Sequence, residues 1–240
     1  MPERAAPGNR VPASEVRTMF DRIAPIYDGM NGVMTGGLDR RWRRRAARAA
    51  GVGLGMSVVD VACGTGALSR ELARLVGPTG SVIGIDASEP MLRRARRRRP
   101  AAGAATPRYE RGDALDLSLR DDSVDAATIA FGLRNMPDYG RCLAEMARVT
   151  RPGGRVVVLE IATPRGGVGR AATAVWLRGI VPFLGRFAGG GSAYRYLPAS
   201  VRHYPGPEEV ATLMREAGLA AVRWRPLALG MVTLHAGRVA

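Results

Sequence analysis

Short apolar segments alternate with amphipathic ones along the middle of the chain, and this order limits the fold more than any other feature of the sequence. The apolar segments are rich in valine, as strands buried on both faces of a sheet are. Between them, apolar residues recur at helical spacing. This order predicts an α/β, doubly wound, Rossmann-like sheet with helices on both faces. The predicted strands are 56–63, 81–86, 108–114, 124–131 and 155–161, with helices over 64–77, 89–99 and 138–150.

The two ends of the chain extend this unit into a single domain over 15–240, preceded by a disordered arm over 1–14. Residues 15–34 have a helical apolar face that Pro25 interrupts, and a second helix follows from 39 to 50, so 15–50 is predicted to form a helical cap. After the fifth strand comes an insert or lid, 163–206, which contains an apolar helical stretch at 169–190. A helix over 207–219 and an antiparallel hairpin over 220–239 bring the sheet to seven strands.

The composition narrows the classes of function. The net charge is +15, yet all 36 basic residues are arginine, which indicates a codon bias rather than a demand for a nucleic-acid partner. The arginine runs at 39–50 and 93–99 are therefore predicted to be solvated helix faces. Two cysteines and two histidines, none at ligand spacing, predict no metal site and no disulfide framework. The low cysteine count favours a reducing cytoplasm, and because there is no run of about 18 apolar residues we expect no transmembrane helix.

A glycine-rich turn between the first strand and its helix predicts a nucleotide site. It reads Asp60-Val-Ala-Cys-Gly-Thr-Gly66, and Asp86 ends the next strand, where a carboxylate commonly binds ribose hydroxyls. NAD would call for a third glycine where Ser69 stands, whereas the D-x-x-x-G-x-G pattern suits S-adenosylmethionine (SAM). The amino-acid part of SAM would then lie over Gly64–Gly66, and its adenine would lie beside Gly112–Ala114, where Asp113 can accept from the amino group. The glycines could instead serve only a tight turn.

The sequence resembles the class I methyltransferases that C-methylate prenylated quinols, namely the demethylmenaquinone and 2-methoxy-6-polyprenyl-benzoquinol methyltransferases. The resemblance spans about residues 15–240. The matching stretches are FDRIAPIYDGMN (20–31), LDRRWRR (38–44), DVACGTG (60–66), FGLRN (131–135), RVTRPGGRVVVLE (148–160), AYRYLPASVR (193–202) and LHAG (234–237).

The resemblance implies a C-methyltransferase that converts demethylmenaquinol to menaquinol, with SAM contacts at Thr65, Asp86, Asp113 and Ala114 in addition to the glycine turn. Three residues differ from the family pattern: Ala67, Ala130 and Ile161. They leave open a relative that methylates another aromatic or polyketide quinol. A second alternative is an RNA methyltransferase, although the aromatic content of 5% offers little surface for base stacking.

Arg134 and Asn135 stand where the fourth strand ends, a poor place for an unpaired charge. Ligands of doubly wound sheets bind beyond the carboxyl ends of the strands, so both side chains are predicted to face the methyl donor and its acceptor. Arg134 is assigned to stabilising the quinol oxygen as it ionises, and Asn135 to orienting the ring or a water. Alternatively, Arg134 ties the loop to Glu160 or Asp138. The sequence does not identify the general base.

The expected partners follow from the substrate. A prenylated quinol needs an apolar channel, and the segment around Tyr27 together with 169–190 is apolar enough to cover it. Arginine-flanked apolar helices could also contact anionic lipid at the inner face of the membrane, where such a substrate resides. No nucleic-acid partner is expected, and a homodimer is left open.

Overall fold

The computed structural model describes residues 8–164 and 191–240, together with Gly167, Trp176 and Gly179. The apolar helical stretch predicted at 169–190 therefore lies almost wholly outside the described residues. Within them, seven strands form one sheet in the order β3-β2-β1-β4-β5-β7-β6. The strands are β1 (Ser57–Val61), β2 (Ser81–Asp86), β3 (Arg108–Arg111), β4 (Val124–Ala130), β5 (Thr150–Ile161), β6 (Leu219–Leu227) and β7 (Val232–Val239).

The doubly wound topology predicted from the sequence is confirmed. Strands β1 to β5 run parallel, and β7 joins β5 antiparallel as one arm of the C-terminal hairpin. The strand order reverses at β1, which pairs with β2 on one side and β4 on the other. Helices lie on both faces: α3 (Leu38–Ala49) and α4 (Ala67–Val76) pack on one core cluster, and α6 (Tyr139–Val149) and α8 (Pro207–Glu216) on the other.

The predicted N-terminal cap forms from α1 (Ala13–Ile23) and α2 (Tyr27–Thr35), which break apart at Pro25, followed by α3. The disordered arm predicted over 1–14 is too long. The backbone N–H of Asn9 donates to the carbonyl of Met136 at 2.8 Å, and its side chain donates to the Tyr196 hydroxyl at 2.6 Å. Residues from Asn9 onward therefore pack on the domain.

The remaining elements are α5 (Glu89–Arg96) and α7 (Gly191–His203), with one 3-10 turn at Leu133–Asn135 and another at Ala228–Gly230 inside the hairpin. The fifth strand begins earlier than its predicted start at 155, because Thr150 already pairs with Val124 and the register then shifts past the Pro-Gly-Gly sequence. Among the described residues, no helix is long and apolar enough to cross a membrane.

Candidate functional site

Two adjoining cavities lie beyond the carboxyl ends of β1 and β4, at the reversal of strand order where ligands of such sheets bind. We call them the polar cleft and the apolar cavity. The polar cleft is lined by six of the seven residues predicted to bind the cofactor: Asp60, Gly64, Thr65, Asp86, Asp113 and Ala114. The apolar cavity is lined chiefly by Met19, Phe20, Ile23, Met30, Met34, Trp42, Ile161, Trp176 and Leu197.

The glycine turn has the backbone that its sequence predicts, but its two glycines have different surroundings. Gly64 has a φ of 54° and Gly66 a φ of 72°, in the left-handed region that favours glycine. A Cβ on Gly64 would meet no atom within 4 Å, whereas one on Gly66 would lie 2.2 Å from the Tyr109 hydroxyl oxygen. The turn therefore opens to a ligand at Gly64, while Gly66 is required by packing.

Asp86 lines the polar cleft, and both of its carboxylate oxygens accept hydrogen bonds from the backbone. One carboxylate oxygen accepts from the backbone N–H of Gly64 at 2.7 Å and the other from that of Ser88 at 2.8 Å. Burial raises the pKa of Asp86, and the two backbone donors partly offset that effect. Each oxygen keeps a free lone pair, so the carboxylate can still accept from the two hydroxyls of a ribose.

Asp60 is the most deeply buried carboxylate of the cleft, with 1% of its surface exposed. It accepts from the Ser69 hydroxyl at 2.6 Å and from the Thr128 hydroxyl at 3.2 Å. Burial raises its pKa to about 6, although the hydrogen bonds from Ser69 and Thr128 and, after them, the charge of Arg43 act in the opposite direction. A carboxylate held this way has no ion pair among the described residues, so a cationic ligand would be attracted to it.

The cap closes the cleft through carboxylates of its first two helices. The Thr65 hydroxyl donates to Asp28 of α2 at 2.6 Å, and Asp28 also pairs with Arg98. The Ser88 hydroxyl donates to Asp21 of α1. The sequence does not predict these ties, because the paired residues lie 37 to 70 positions apart and follow no local pattern.

The residues of the polar cleft fit SAM. Its lining includes three carboxylates, of Asp60, Asp86 and Asp113, which complement a ligand that carries an ammonium and a sulfonium group. Asp113 is exposed, its Oδ1 accepts from the Leu115 N–H at 2.9 Å, and Ala114 beside it is buried. The individual SAM contacts stay predictions.

We expect Asp86→Ala to weaken SAM binding by about 10- to 100-fold, since a hydrogen bond to a charged group contributes about 1.5–3 kcal/mol. The loss should be smaller in Asp86→Asn, which keeps an acceptor oxygen. Titration calorimetry measures both affinities, with Asp121→Ala as control because that carboxylate is exposed. Unchanged SAM affinity in Asp86→Ala would contradict the ribose assignment, and comparable binding of NAD would favour the dinucleotide alternative.

Arg134 does not stand free at the end of β4. It is buried, and its Nη1 donates to Glu160 of β5 at 2.6 Å and to the Phe131 carbonyl at 2.8 Å. Burial lowers the pKa of Arg134, but the charge of Glu160, its hydrogen bond and the nearby Tyr27 and Tyr196 together outweigh burial, so the pKa is raised and the side chain is unsuited to act as a base. Of the two alternatives left open for the loop tie, the partner is Glu160 rather than Asp138. Arg134 also lines the apolar cavity, and its catalytic role stays a prediction.

Asn135 lies on the polar-cleft side of the same turn. Its amide nitrogen donates to the Phe131 carbonyl at 3.3 Å, and its Oδ1 accepts from the Tyr196 hydroxyl at 2.9 Å. Phe131 has a φ of 61°, which strains a non-glycine residue and is typical of functional sites. Arg134 and Asn135 thus face different cavities from one turn, and Asn135's role toward the ring stays a prediction.

Four residues line both cavities: Phe20, Tyr27, Arg43 and Phe131. Tyr27 was predicted to cover the site, but Arg43 was not singled out. The arginine run at 39–50 was expected to be a solvated face, and for Arg43 this is wrong, since only 6% of the residue is exposed. The spacing of Asp39 and Arg43, one helical turn apart, is the signal that could have found it.

Comparisons with known proteins agree with this geometry. A profile of the ubiE/COQ5 methyltransferase family matches residues 9–239. A demethylmenaquinone methyltransferase of Thermus thermophilus is 42% identical over 91% of this chain and 99% of its own. One from Desulfitobacterium hafniense is 39% identical over 94% of this chain and 90% of its own.

Solved structures agree on the fold alone, because their sequences are distant. The [4+2]-cyclase SpnF superposes with a TM-score of 0.73 at 17% identity and covers 97% of this chain and 98% of its own. A SAM-dependent methyltransferase of Thermotoga maritima gives a TM-score of 0.64 at 19% identity, covering 93% of this chain and 99% of its own.

Proposed function

The chain belongs to the ubiE/COQ5 methyltransferase family, and from this premise we propose that it methylates a ring carbon of demethylmenaquinol to give menaquinol. It is a SAM-dependent methyltransferase that acts in menaquinone biosynthesis. The observation that carries the choice of substrate is the apolar cavity next to the polar cleft, with a volume of about 260 Å³ and a lining of methionine and aromatic side chains. Such a lining suits a bicyclic ring with a prenyl tail.

The chemistry requires a carbon nucleophile. When bound, SAM would supply an electrophilic methyl group and would keep the electron pair of the broken sulfur–carbon bond as a neutral thioether, S-adenosylhomocysteine. A quinol hydroxyl that gives up its proton raises the electron density of the neighbouring ring carbon, which then forms the new carbon–carbon bond and later loses its own proton. Arg134 faces the cavity as a permanent cation and stabilises the oxygen as it ionises. Asn135, bound to Tyr196, orients the ring or a water that takes the proton.

The direct test is the reaction itself. The purified enzyme is incubated with SAM and demethylmenaquinol under reducing conditions, and mass spectrometry follows the gain of one methyl group. We expect no methylation of the oxidised quinone, because it has no hydroxyl to ionise. Methylation of another aromatic quinol in preference to demethylmenaquinol would favour the specialised relative, and methylation of RNA would overturn the proposal.

Contact with an anionic membrane surface is part of the same proposal. The end of α2 and the start of α3 expose Val33 and Leu38 by 65% and 47% of their surface, and the exposed Arg40 and Arg41 follow Asp39 on α3. Leu38 also lines the apolar cavity. Apolar side chains beside arginines suit insertion among anionic headgroups, which would bring the cavity to the membrane that holds the substrate's tail.

We expect the enzyme to co-sediment with vesicles that contain phosphatidylglycerol but not with neutral vesicles, and the bound fraction should fall as salt rises. Arg40→Glu with Arg41→Glu should lower that fraction, whereas the matched pair Arg97→Glu with Arg99→Glu should leave it unchanged. Equal binding to neutral vesicles, or equal loss in both pairs, would contradict this surface. The homodimer stays a prediction that sedimentation would check.

A further inference from the structure

Arg43 differs from the other arginines of α3 because its side chain is buried at 8% exposure. Arg40, Arg41, Arg44 and Arg48 are exposed, and Arg45 is half-buried. Burying a guanidinium is costly unless the charge is paired and its donors are used. One carboxylate, of Asp39, pairs with it at 2.9 Å, and the other donors of the guanidinium have no hydrogen-bond partner among the described residues. Arg43 therefore keeps hydrogen-bonding capacity inside the site.

The position of Arg43, like its burial, bears on its role in the site. Of the four residues that line both cavities, Arg43 is the charged one, so it stands where the methyl donor and the ring must meet. Its guanidinium carbon lies 4.9 Å from the centre of the Phe131 ring, a cation–π contact that fixes its plane. The carbonyl of the same Phe131 accepts from Arg134. Two buried cations thus flank one residue.

The two cations differ in how far they are already neutralised. Arg134 faces the fully buried Glu160, which accepts from both its Nη1 and its backbone N–H. Arg43 has a single bond to Asp39, whose side chain is 15% exposed and also accepts from the Thr35 hydroxyl at 3.3 Å. The charge of the Asp60 carboxylate also interacts with that of Arg43, but Asp60 accepts its hydrogen bonds from Ser69 and Thr128, so Arg43 still has donors for an incoming anion.

We propose that Arg43 is a second anion-stabilising residue of the reaction, which binds a quinol oxygen at the junction of the two cavities as that oxygen ionises. This inference rests on the proposed function. A 1,4-quinol has oxygens on opposite sides of its ring, and in an apolar cavity each needs a polar partner. Arg43 lies over the Phe131 ring and Arg134 binds the Phe131 carbonyl, so the two cations contact different parts of this residue and each can serve one oxygen. Arg43 would repel the sulfonium of the methyl donor but would attract the donor's carboxylate. That carboxylate therefore competes with the quinol oxygen for Arg43.

The test uses Arg43→Met, which keeps an unbranched apolar stem and removes the charge. We expect the kcat/KM for demethylmenaquinol at saturating SAM to fall by about 10²–10³, the usual cost of losing one preorganised charge-stabilising donor. Arg43→Lys should recover only part of it, because an ammonium lacks the planar fork. The control Arg48→Met removes an exposed arginine of the same helix and should change nothing.

A spectroscopic readout separates this inference from the proposed function. The redox-stable phenol 1-naphthol is bound to the enzyme and titrated by absorbance, which distinguishes the phenol from its anion. In the unmodified enzyme a nearby cation should lower the pKa of the bound phenol by about 1–3 units. The shift should shrink in Arg43→Met, while the other ionisable groups that line the apolar cavity, Tyr27, Asp39, Arg134 and Tyr196, are unchanged.

The results of these measurements distinguish phenolate binding by Arg43 from SAM binding and from a packing role. If Arg43→Met weakens SAM binding tenfold in calorimetry while the naphthol shift persists, the residue binds the carboxylate of the methyl donor and the proposal fails. If Arg43→Met does not fold, Arg43→Lys is used for both measurements. Full activity and a normal naphthol shift in Arg43→Lys would leave Arg43 only a packing role. If the unmodified enzyme does not methylate demethylmenaquinol, the proposed function fails. An Arg43-dependent naphthol shift would then still support phenolate binding.

Discussion

Arg134→Ala is expected to lower the free energy of unfolding by about 3–5 kcal/mol, because it leaves the Glu160 carboxylate buried without its cation. Glu160 is fully buried, and beyond Arg134 it accepts only from the backbone N–H of Ile161, at 2.8 Å, among the described residues. A loss of activity in Arg134→Ala would therefore report unfolding as readily as catalysis. Urea unfolding monitored by circular dichroism measures the loss.

A double substitution separates the two effects. Arg134→Met combined with Glu160→Gln removes both charges, so most of the lost stability should return, as it does when buried ion pairs are replaced by neutral side chains. SAM should still raise the melting temperature, because the polar cleft is untouched. If Arg134 stabilises the ionising quinol oxygen, the methylation rate of this folded variant stays lower by about 10²–10³. A folded double variant with the normal rate would leave Arg134 only its tie to Glu160.

Asp60→Asn is expected to have the opposite effect on stability, raising the free energy of unfolding at neutral pH by about 1–3 kcal/mol. Burial raises the pKa of Asp60 to about 6 from the ordinary 3.8, so the folded chain holds this proton more tightly than the unfolded chain does. The contribution of Asp60 to stability is therefore most favourable below the lower value, falls as pH rises to about 6, and stays unfavourable above it. Asparagine removes the ionisable group, while the Ser69 and Thr128 hydroxyls can still bond it.

The pH dependence is the decisive measurement for Asp60. The stability difference between Asp60→Asn and the unmodified chain should be largest near pH 8 and should fade as the pH drops below the ordinary pKa of 3.8, where Asp60 is protonated in both the folded and the unfolded chain. Comparing the two proteins at each pH cancels the titration of all other groups. The stabilised variant should at the same time lose affinity for SAM, because it no longer offers an anion to a cationic ligand. A variant that is less stable at neutral pH would contradict the shifted pKa.

The fold was predictable because its signals are local. Strand β2 was predicted with its observed bounds, 81–86, and β6 and β7 occupy the hairpin predicted over 220–239 to within one residue. The start of β5 was missed because Thr150 pairs with Val124, a contact that depends on the register of two strands rather than on the Pro-Gly-Gly sequence. The packed segment around Asn9 was missed for the same reason, since its partners, Met136 and Tyr196, lie far along the chain.

The site residues at the strand ends could be predicted from the sequence, whereas the contacts that depend on the packing of the cap could not. Asp60, Gly64 and Asp86 follow from the strand–turn–helix pattern and line one cleft. Whether Arg134 would pair with Glu160 was undecidable, because it depends on β5 lying next to β4 in a register that sets Leu159 beside Ala130. The burial of Arg43 could not be predicted from the sequence, because in a chain this rich in arginine one buried arginine has the same sequence context as its exposed neighbours.

The hydrogen bonds and the ion pair that join the cap to the rest of the domain bear on the rate of turnover. Asp28 binds Thr65 and Arg98, and Asp21 binds Ser88, so all three contacts must break before the polar cleft is open to solvent. With each contributing about 0.5–1.5 kcal/mol, the open form is on the order of a few per cent of the population or less. We expect the opening of the cap to limit the exchange of spent for fresh methyl donor, as product release limits many enzymes. Asp28→Asn should shorten the residence time of the demethylated product and raise the steady-state rate, while a single turnover proceeds as before.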